Sequence, residues 1–183
     1  MMTLEVRAWR ESTEPMIREA TPEDASQMIE LSAMKRAEYE AYSPTFWRVA
    51  ADAAKKQTPF FLAQLGWENA ICLVSEHEGR IDGFLIAVRV AAPPVYDPGG
   101  PVCRVDDFTV SSPDRWATTG RDLIQEVRRR AHSAGSSLTV AVCGHLDEPK
   151  REMLRSAGFS IESEWWVNPE IARASGLGSD GKA

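Results

Sequence analysis

The chain has 183 residues and a mass of 20.3 kDa, with 43% hydrophobic and 26% charged residues, which suits one compact domain. Its net charge of −6 argues against a general nucleic-acid-binding protein, because such proteins use basic residues to neutralise phosphates. Cys72, Cys103 and Cys143 match no zinc-binding spacing and predict buried thiols in a reducing compartment. No apolar stretch has the length of a membrane span and no secretory pattern opens the chain, so we expect a cytoplasmic protein that binds no metal and no membrane.

The two ends of the chain differ in composition from the middle. Residues 1–15 carry no periodicity and predict a flexible leader, and residues 171–183 are rich in Gly, Ser and Ala and predict a disordered tail. We therefore expect a single domain over residues 16–170.

The first half of that domain predicts a strand, a group of helices and a hairpin. Thr21-Pro22 after the first strand is typical of a helix start, and Gly66 of a helix end. The predicted elements are a strand over 16–20, a helix that starts at 21, helices over 45–56 and 58–65, and hairpin strands over 71–74 and 84–88. The proline-rich residues 92–101 predict an ordered loop.

The second half alternates strands and helices. We expect strands over 102–110, 138–143 and 159–167 and helices over 119–132 and 148–157. A strand, a helix and a strand in succession form a unit whose strands are parallel. The sequence therefore predicts an α/β (α+β) domain that contains an antiparallel hairpin and one parallel strand pair.

The loop between the strand ending at Val110 and the helix at Thr119 is the first candidate site. A helix N-terminus presents unpaired N–H groups and a partial positive charge that suit a phosphate. Ala117, Thr118 and Gly120 are small, the hydroxyls of Thr118 and Thr119 are donors, and Arg115 adds a charge. An ordinary helix cap with a turn glycine is the alternative.

Two segments resemble motifs of the GNAT superfamily of acyl-CoA-dependent N-acyltransferases. Val110, Arg115 and Gly120 stand at the Val, Arg and last Gly of V-x-P-x-x-R-G-x-G-I/A-G, with Pro113 displaced by one position. Residues 147–159 are similar to the element N-x-x-A-x-x-L-Y-x-x-x-G-F. The resemblance covers residues 16–168 and implies a mixed, mostly antiparallel sheet with parallel central strands 4 and 5 and flanking helices.

The resemblance also implies a bound acetyl-CoA between strands 4 and 5, which separate. The pantetheine arm would pair with the backbone of strand 4, and the diphosphate would lie on the loop and the helix start. The implied binding residues are Phe108, Thr109, Val110, Arg115, Trp116, Ala117, Thr118, Thr119, Gly120 and Arg121.

Three positions depart from the family pattern. Trp116 and Thr118 replace glycines, and the indole of Trp116 fits there only if the ring turns outward. Leu154 stands where the family usually has the tyrosine that protonates the leaving thiolate, and a leucine donates no proton. Three alternatives follow: another group protonates the thiolate, the thiolate leaves unassisted, or the protein does not catalyse the transfer.

An acyl transfer to an amine also needs a base, because an ammonium group must lose a proton before it attacks. Asp106 stands where many family members carry an acid, four residues before Val110, and Asp107 follows it. Neighbouring strand residues point to opposite faces, so only one of the two aspartates would face the acetyl-CoA site. The alternative is that each aspartate is solvated or pairs with an arginine such as Arg104. Tyr96 and His145 are further candidates for an acid or a substrate contact, with loop packing and an ordinary loop position as their alternatives.

The predicted function is N-acetyl transfer from acetyl-CoA to a primary amine of a small molecule or peptide. The alternatives are a catalytically weak acyl-CoA sensor and a partner-binding module. Trp165 and Trp166 lie on the last predicted strand, so we expect one ring in the core and the other in an acceptor pocket or a homodimer contact.

Overall fold

The computed structural model describes residues 15–168. Nearly all of the predicted leader and the whole predicted tail lie outside the described residues, and the domain limits stay a prediction. The elements in chain order are β1 (Met16–Glu19), α1 (Ala25–Tyr42), α2 (Ala53–Leu65), β2 (Ala70–His77), β3 (Arg80–Val90), β4 (Val102–Val110), α3 (Thr119–Ser133), β5 (Leu138–Ala141) and α4 (Glu148–Ser156). None of these described helices is long and apolar enough to cross a membrane.

The strands form one sheet in the order β1-β2-β3-β4-β5. Neighbouring strands are antiparallel except β4 and β5, which are parallel and joined through α3. The predicted mixed α/β class and its parallel central pair are therefore confirmed.

Each face of the sheet carries its own apolar core. One core joins alternate residues of β2, β3 and β4 to α3 and α4, and it includes Phe108, Trp116, Leu123 and Leu154. The second joins the intervening strand residues to Met28 and Leu31 of α1 and Phe61 of α2. Since successive strand residues point to opposite faces, β4 presents different side chains to α4 and to α1.

The predicted hairpin is present with longer strands than expected. β2 and β3 run for eight and eleven residues around a tight turn at Glu78 and Gly79, both of which have positive φ (51° and 77°). Two successive positive φ values fit the turn whose twist matches that of paired strands.

Two predicted helices are one helix in the structure. The expected break at Thr58-Pro59 is absent, because Pro59 lies inside α2, while much of the segment predicted as the earlier helix is irregular. Pro59 has no backbone N–H to donate to the carbonyl of Lys55, and the hydroxyl of Thr58 donates to the neighbouring carbonyl of Ala54 (3.0 Å). The helix nevertheless continues through the proline.

The prediction of a last strand over 159–167 is wrong. These residues form no strand, and the side chains of Trp165 and Trp166 are 81% and 89% exposed, so the expectation that one ring lies in the core is also wrong. The segment pairs with no described strand, and strand alternation by itself does not supply a hydrogen-bonding neighbour. Trp165 contacts the ring of Phe46 edge-on, with the ring centroids 6.3 Å apart.

Candidate active site

Strands β4 and β5 pair over only four residues each. The parallel ladder joins Val102–Val105 to Leu138–Ala141, and β4 then continues to Val110 without a partner on that side. The other edge of β4 stays paired with β3. The second half of β4 therefore has no strand neighbour on this side, which we call the gap between β4 and β5. A strand edge without a neighbouring strand can accept an extended chain.

A β-bulge lies where the two strands separate. Ile86 pairs with Asp107 and Ala87 with Val105, which leaves Asp106 without a partner on β3. A bulge bends its strand and increases the local twist.

The bulge gives the two adjacent aspartates different surroundings. Asp106 accepts hydrogen bonds from the guanidinium of Arg104 at 2.6 and 3.1 Å, so the alternative of an arginine pair is the observed one. Asp107 lies on the α1 face of β4, is partly buried, and has no ion pair within the described part of the chain.

The carboxyl of Asp107 titrates near neutral pH. Burial raises its pKa to about 6. The negative charge of Asp106 also raises this pKa, and the positive charges of Lys150 and Arg36 lower it. A carboxylate with a pKa near 6 binds a proton far more readily than a solvated aspartate does. Asp107 is therefore equipped to accept a proton.

A 3-10 turn over Pro113–Ala117 leads into α3. The N–H of Asp122 donates to Thr118 O and begins the helical hydrogen bonds, so the N–H groups of Thr119, Gly120 and Arg121 precede the first helical bond. Arg115 and Arg121 are exposed beside these groups. The α3 start thus combines backbone donors with two positive side chains.

The hydroxyl of Thr119 does not add to these donors. It is 3% exposed and donates to the carboxylate of Asp82 at 3.1 Å, so the expectation that it faces a ligand is wrong. Thr118 is exposed and keeps its hydroxyl at the surface.

The indole of Trp116 turns inward, contrary to the prediction. It is 2% exposed and packs edge-on against Phe108, with the centroids 4.9 Å apart. It also lies against Gly120, where an added Cβ would stand 2.6 Å from the ring. The ring is part of the core, while Ala117 and Thr118 stay exposed on the outer side of the turn.

A buried polar cluster, formed by Lys35, Tyr39, Asp147 and Lys150, lies beside the gap. Asp147 accepts from Lys35 Nζ (2.7 Å) and from the Tyr39 hydroxyl (2.9 Å), and Gly144 N donates to that hydroxyl (3.0 Å). Burial and the charge of Asp147 raise the pKa of Tyr39.

Lys150 reaches from α4 to the free edge of β4. It is 4% exposed, and its Nζ donates to the carbonyl of Phe108 at 3.1 Å. The sequence interpretation did not single out this lysine, yet it lies at helical spacing with Met153, Leu154 and Ala157 on the buried side of α4. The position of this lysine on the apolar face of the predicted helix could have indicated a buried ammonium group.

The remaining candidates lie apart from this gap or inside the core. Tyr96 is 72% exposed in the loop before β4, at the end opposite the gap. Leu154 is buried among core residues, Cys143 is partly buried, and His145 contacts Arg151 at the surface. Within residues 15–168 no group of three or more His, Cys, Asp or Glu side chains is placed to hold a metal ion.

No family model matches the sequence, and no curated protein matches it either. Solved structures do match. A mutant protein from Bacillus halodurans has a TM-score of 0.75 at 16% identity, with 85% of this chain and 99% of that chain covered. A predicted acetyltransferase with acetyl-CoA from Clostridium acetobutylicum has a TM-score of 0.68 at 15% identity and 85% and 96% coverage. An aminoglycoside antibiotic 6'-N-acetyltransferase from Acinetobacter baumannii has a TM-score of 0.64 at 13% identity and 86% and 99% coverage.

These likenesses extend over nearly the whole of each solved chain. At such identities they establish the fold. The protein has the fold of the GNAT acetyltransferases, as its motifs predicted.

Proposed function

We propose that the protein is an acetyl-CoA-dependent N-acetyltransferase that acts on a primary amine of a small molecule or peptide. The observation that carries this proposal is the end of the β4–β5 pairing at Val105, after which β4 has no strand neighbour on that side and could pair with an extended ligand. The fold and the backbone donors at the start of α3 support the same ligand.

Acetyl-CoA has two chemically distinct parts that suit two parts of this site. The N–H groups of residues 119–121 would bind the diphosphate, with Arg115 and Arg121 supplying positive charge. The free edge of β4 at Phe108–Val110 would pair with the pantetheine amides. Lys150 now covers the carbonyl of Phe108, so this lysine would have to move its hydrogen bond when the arm enters.

Asp107 is the base in this proposal, in preference to Asp106. Asp107 lies on the α1 face with a raised pKa, whereas Asp106 is held by Arg104. The Asp107 carboxylate would take the proton of the ammonium group, and the neutral nitrogen would then attack the thioester carbon. The acceptor would thus enter from the side of α1 and α2.

The experiment is an assay of thiol release from acetyl-CoA against a panel of amines and peptide N-termini. We expect Asp107→Asn to lower kcat by about 100-fold, which is typical of a lost general base. Because the base works when ionised, the wild-type rate should rise with pH through about 6, and this rise should vanish in the variant. Asp106→Asn is the matched control and should keep kcat within about threefold. Equal rates for Asp107→Asn and the wild type would overturn the assignment.

A second function is favoured by one observation. Leu154 occupies the position of the usual proton donor and is packed in the core. A protein with this fold and no donor would suit an acyl-CoA sensor. Saturable binding of acetyl-CoA without thiol release across the whole panel would support the sensor and exclude the transferase.

A further inference from the structure

Acyl transfer from a thioester is faster when a nearby group protonates the leaving sulfur. The C–S bond breaks as the new C–N bond forms, and the sulfur leaves with the electron pair. Leu154 offers no proton, so any donor must come from another side chain at the gap between β4 and β5. The inference below rests on the proposed transferase function.

Lys150 is the side chain whose position fits this role. It lies four residues before Leu154, one helical turn away on the same face of α4. Its Nζ stands 3.1 Å from the carbonyl of Phe108, at the free edge where the thioester arm would lie. The amine is therefore inside the gap and is not a surface charge.

The surroundings of Lys150 leave its ammonium group with spare donors. Phe108 O accepts one N–H, and the rings of Phe108 and Trp116 lie 5.1 and 5.3 Å away. No carboxylate lies within 4 Å of this Nζ among residues 15–168. An ammonium group has three N–H donors, so two stay available for a ligand.

Two neighbouring groups are less suited because their hydrogen bonds are taken. Lys35 Nζ is held by Asp147 at 2.7 Å and by Glu38 at 2.9 Å. The Tyr39 hydroxyl donates its one proton to Asp147. Lys150 differs from both because no carboxylate of the described residues forms an ion pair with it.

We propose that Lys150 is the proton donor to the departing CoA sulfur. Asp107, on the α1 side of β4, takes the proton of the incoming ammonium, while Lys150, on the α4 side, gives a proton to the sulfur as the C–S bond breaks. After the attack the nitrogen loses its second proton to water, so the products are the N-acetylated amine, neutral CoA thiol and one released proton. Asp107 then holds one extra proton and Lys150 lacks one, and exchange with solvent restores both.

The acidity of Lys150 supports this role independently. Burial lowers the pKa of its ammonium group, and the charge of Lys35 lowers it further. The electrostatic interactions with Cys143, Asp147 and Asp107 raise this pKa but are smaller than the effect of burial. A lowered pKa makes the ammonium a better proton donor near neutral pH.

The test compares two acetyl donors with different leaving groups. Acetyl-CoA releases a thiolate that a proton stabilises, whereas p-nitrophenyl acetate releases a less basic phenolate that is stable without one. We expect Lys150→Met to lower kcat with acetyl-CoA by about 100-fold and to leave the rate with p-nitrophenyl acetate within about threefold. Lys150→Arg should stay as slow as the methionine variant, because a guanidinium keeps its proton. Lys56→Met, at an exposed position of α2, is the matched control and should behave as the wild type.

Each remaining outcome contradicts the inference in a distinguishable way. A wild-type rate with acetyl-CoA for Lys150→Met would exclude a donor role. An equal loss with both acetyl donors, or a raised KM for acetyl-CoA at unchanged kcat, would indicate a structural or binding role in its place. A wild-type protein that releases no thiol with any amine would overturn the transferase function and this inference together. Calorimetric titration with CoA checks that each variant still binds the ligand.

Discussion

At the residue scale, one inserted residue in β4 decides which aspartate can act as a base. Strand alternation predicted that only one of Asp106 and Asp107 faces the cleft, and motif spacing favoured Asp106. The bulge could not be predicted from the sequence, because it depends on the register with β3. In the structure Arg104 holds Asp106, and Asp107 is the less exposed of the two acids. The catalytic role of either residue stays a prediction.

The buried carboxyl of Asp107 should also destabilise the folded protein at neutral pH. A pKa of about 6 in the folded state, above the ordinary value of 3.8, means that ionisation is harder when folded. Wild-type stability should therefore fall as pH rises from about 4 to above 6. Asp107→Asn should raise the free energy of unfolding by about 2–3 kcal/mol at pH 7 and by almost nothing at pH 3.5.

Urea unfolding of both proteins at the two pH values measures this difference. Asp106→Asn, which removes a pair with Arg104, should give no such gain. If Asp107→Asn were less stable than the wild type at pH 7, the raised pKa of Asp107 in the folded protein would be contradicted.

At the element scale, the sequence predicted the elements that have local signals. The hairpin has a glycine turn, α3 and α4 have an apolar face and a glycine stop, and β4 has the predicted ends. The misplaced elements lack such signals. Pro59 was interpreted as a helix start because a proline is favoured there, yet tertiary packing keeps it inside α2. The predicted strand over 159–167 needed a neighbouring strand, which no local pattern supplies.

The start of α3 depends on a close approach between Gly120 and Trp116. An alanine Cβ at position 120 would stand 2.6 Å from the indole, so Gly120→Ala must shift the ring or the helix. We expect a loss of about 1–3 kcal/mol in the free energy of unfolding, which is typical of overpacking. Gly66→Ala, where the nearest atom is 3.5 Å away, is the matched control and should be nearly neutral.

A double-mutant cycle in urea identifies the indole as the cause. In a Trp116→Leu background the cost of Gly120→Ala should fall by more than half, because the clashing atoms are gone. An unchanged cost in that background would show that the glycine is needed for another reason.

At the scale of the whole molecule, the fold places the acid Asp107 and the amine of Lys150 on opposite sides of the gap between β4 and β5. The two cores hold α1 against one face of the sheet and α4 against the other, so Asp107 and Lys150 approach the gap between β4 and β5 from different directions. The resemblance of two short motifs was enough to predict this fold. It did not predict Lys150 at the gap, because the motif has no charged residue at that position.

The most direct measurement is a crystal structure of the protein with CoA. We predict that the diphosphate lies within hydrogen-bonding distance of the amides of residues 119–121 and that the pantetheine pairs with β4 at Phe108–Val110. The sulfur should lie beside Lys150 Nζ, which will have left the carbonyl of Phe108. Crystals grown at saturating CoA in which Lys150 still bonds to Phe108 and the ligand lies elsewhere, or is absent, would contradict the account.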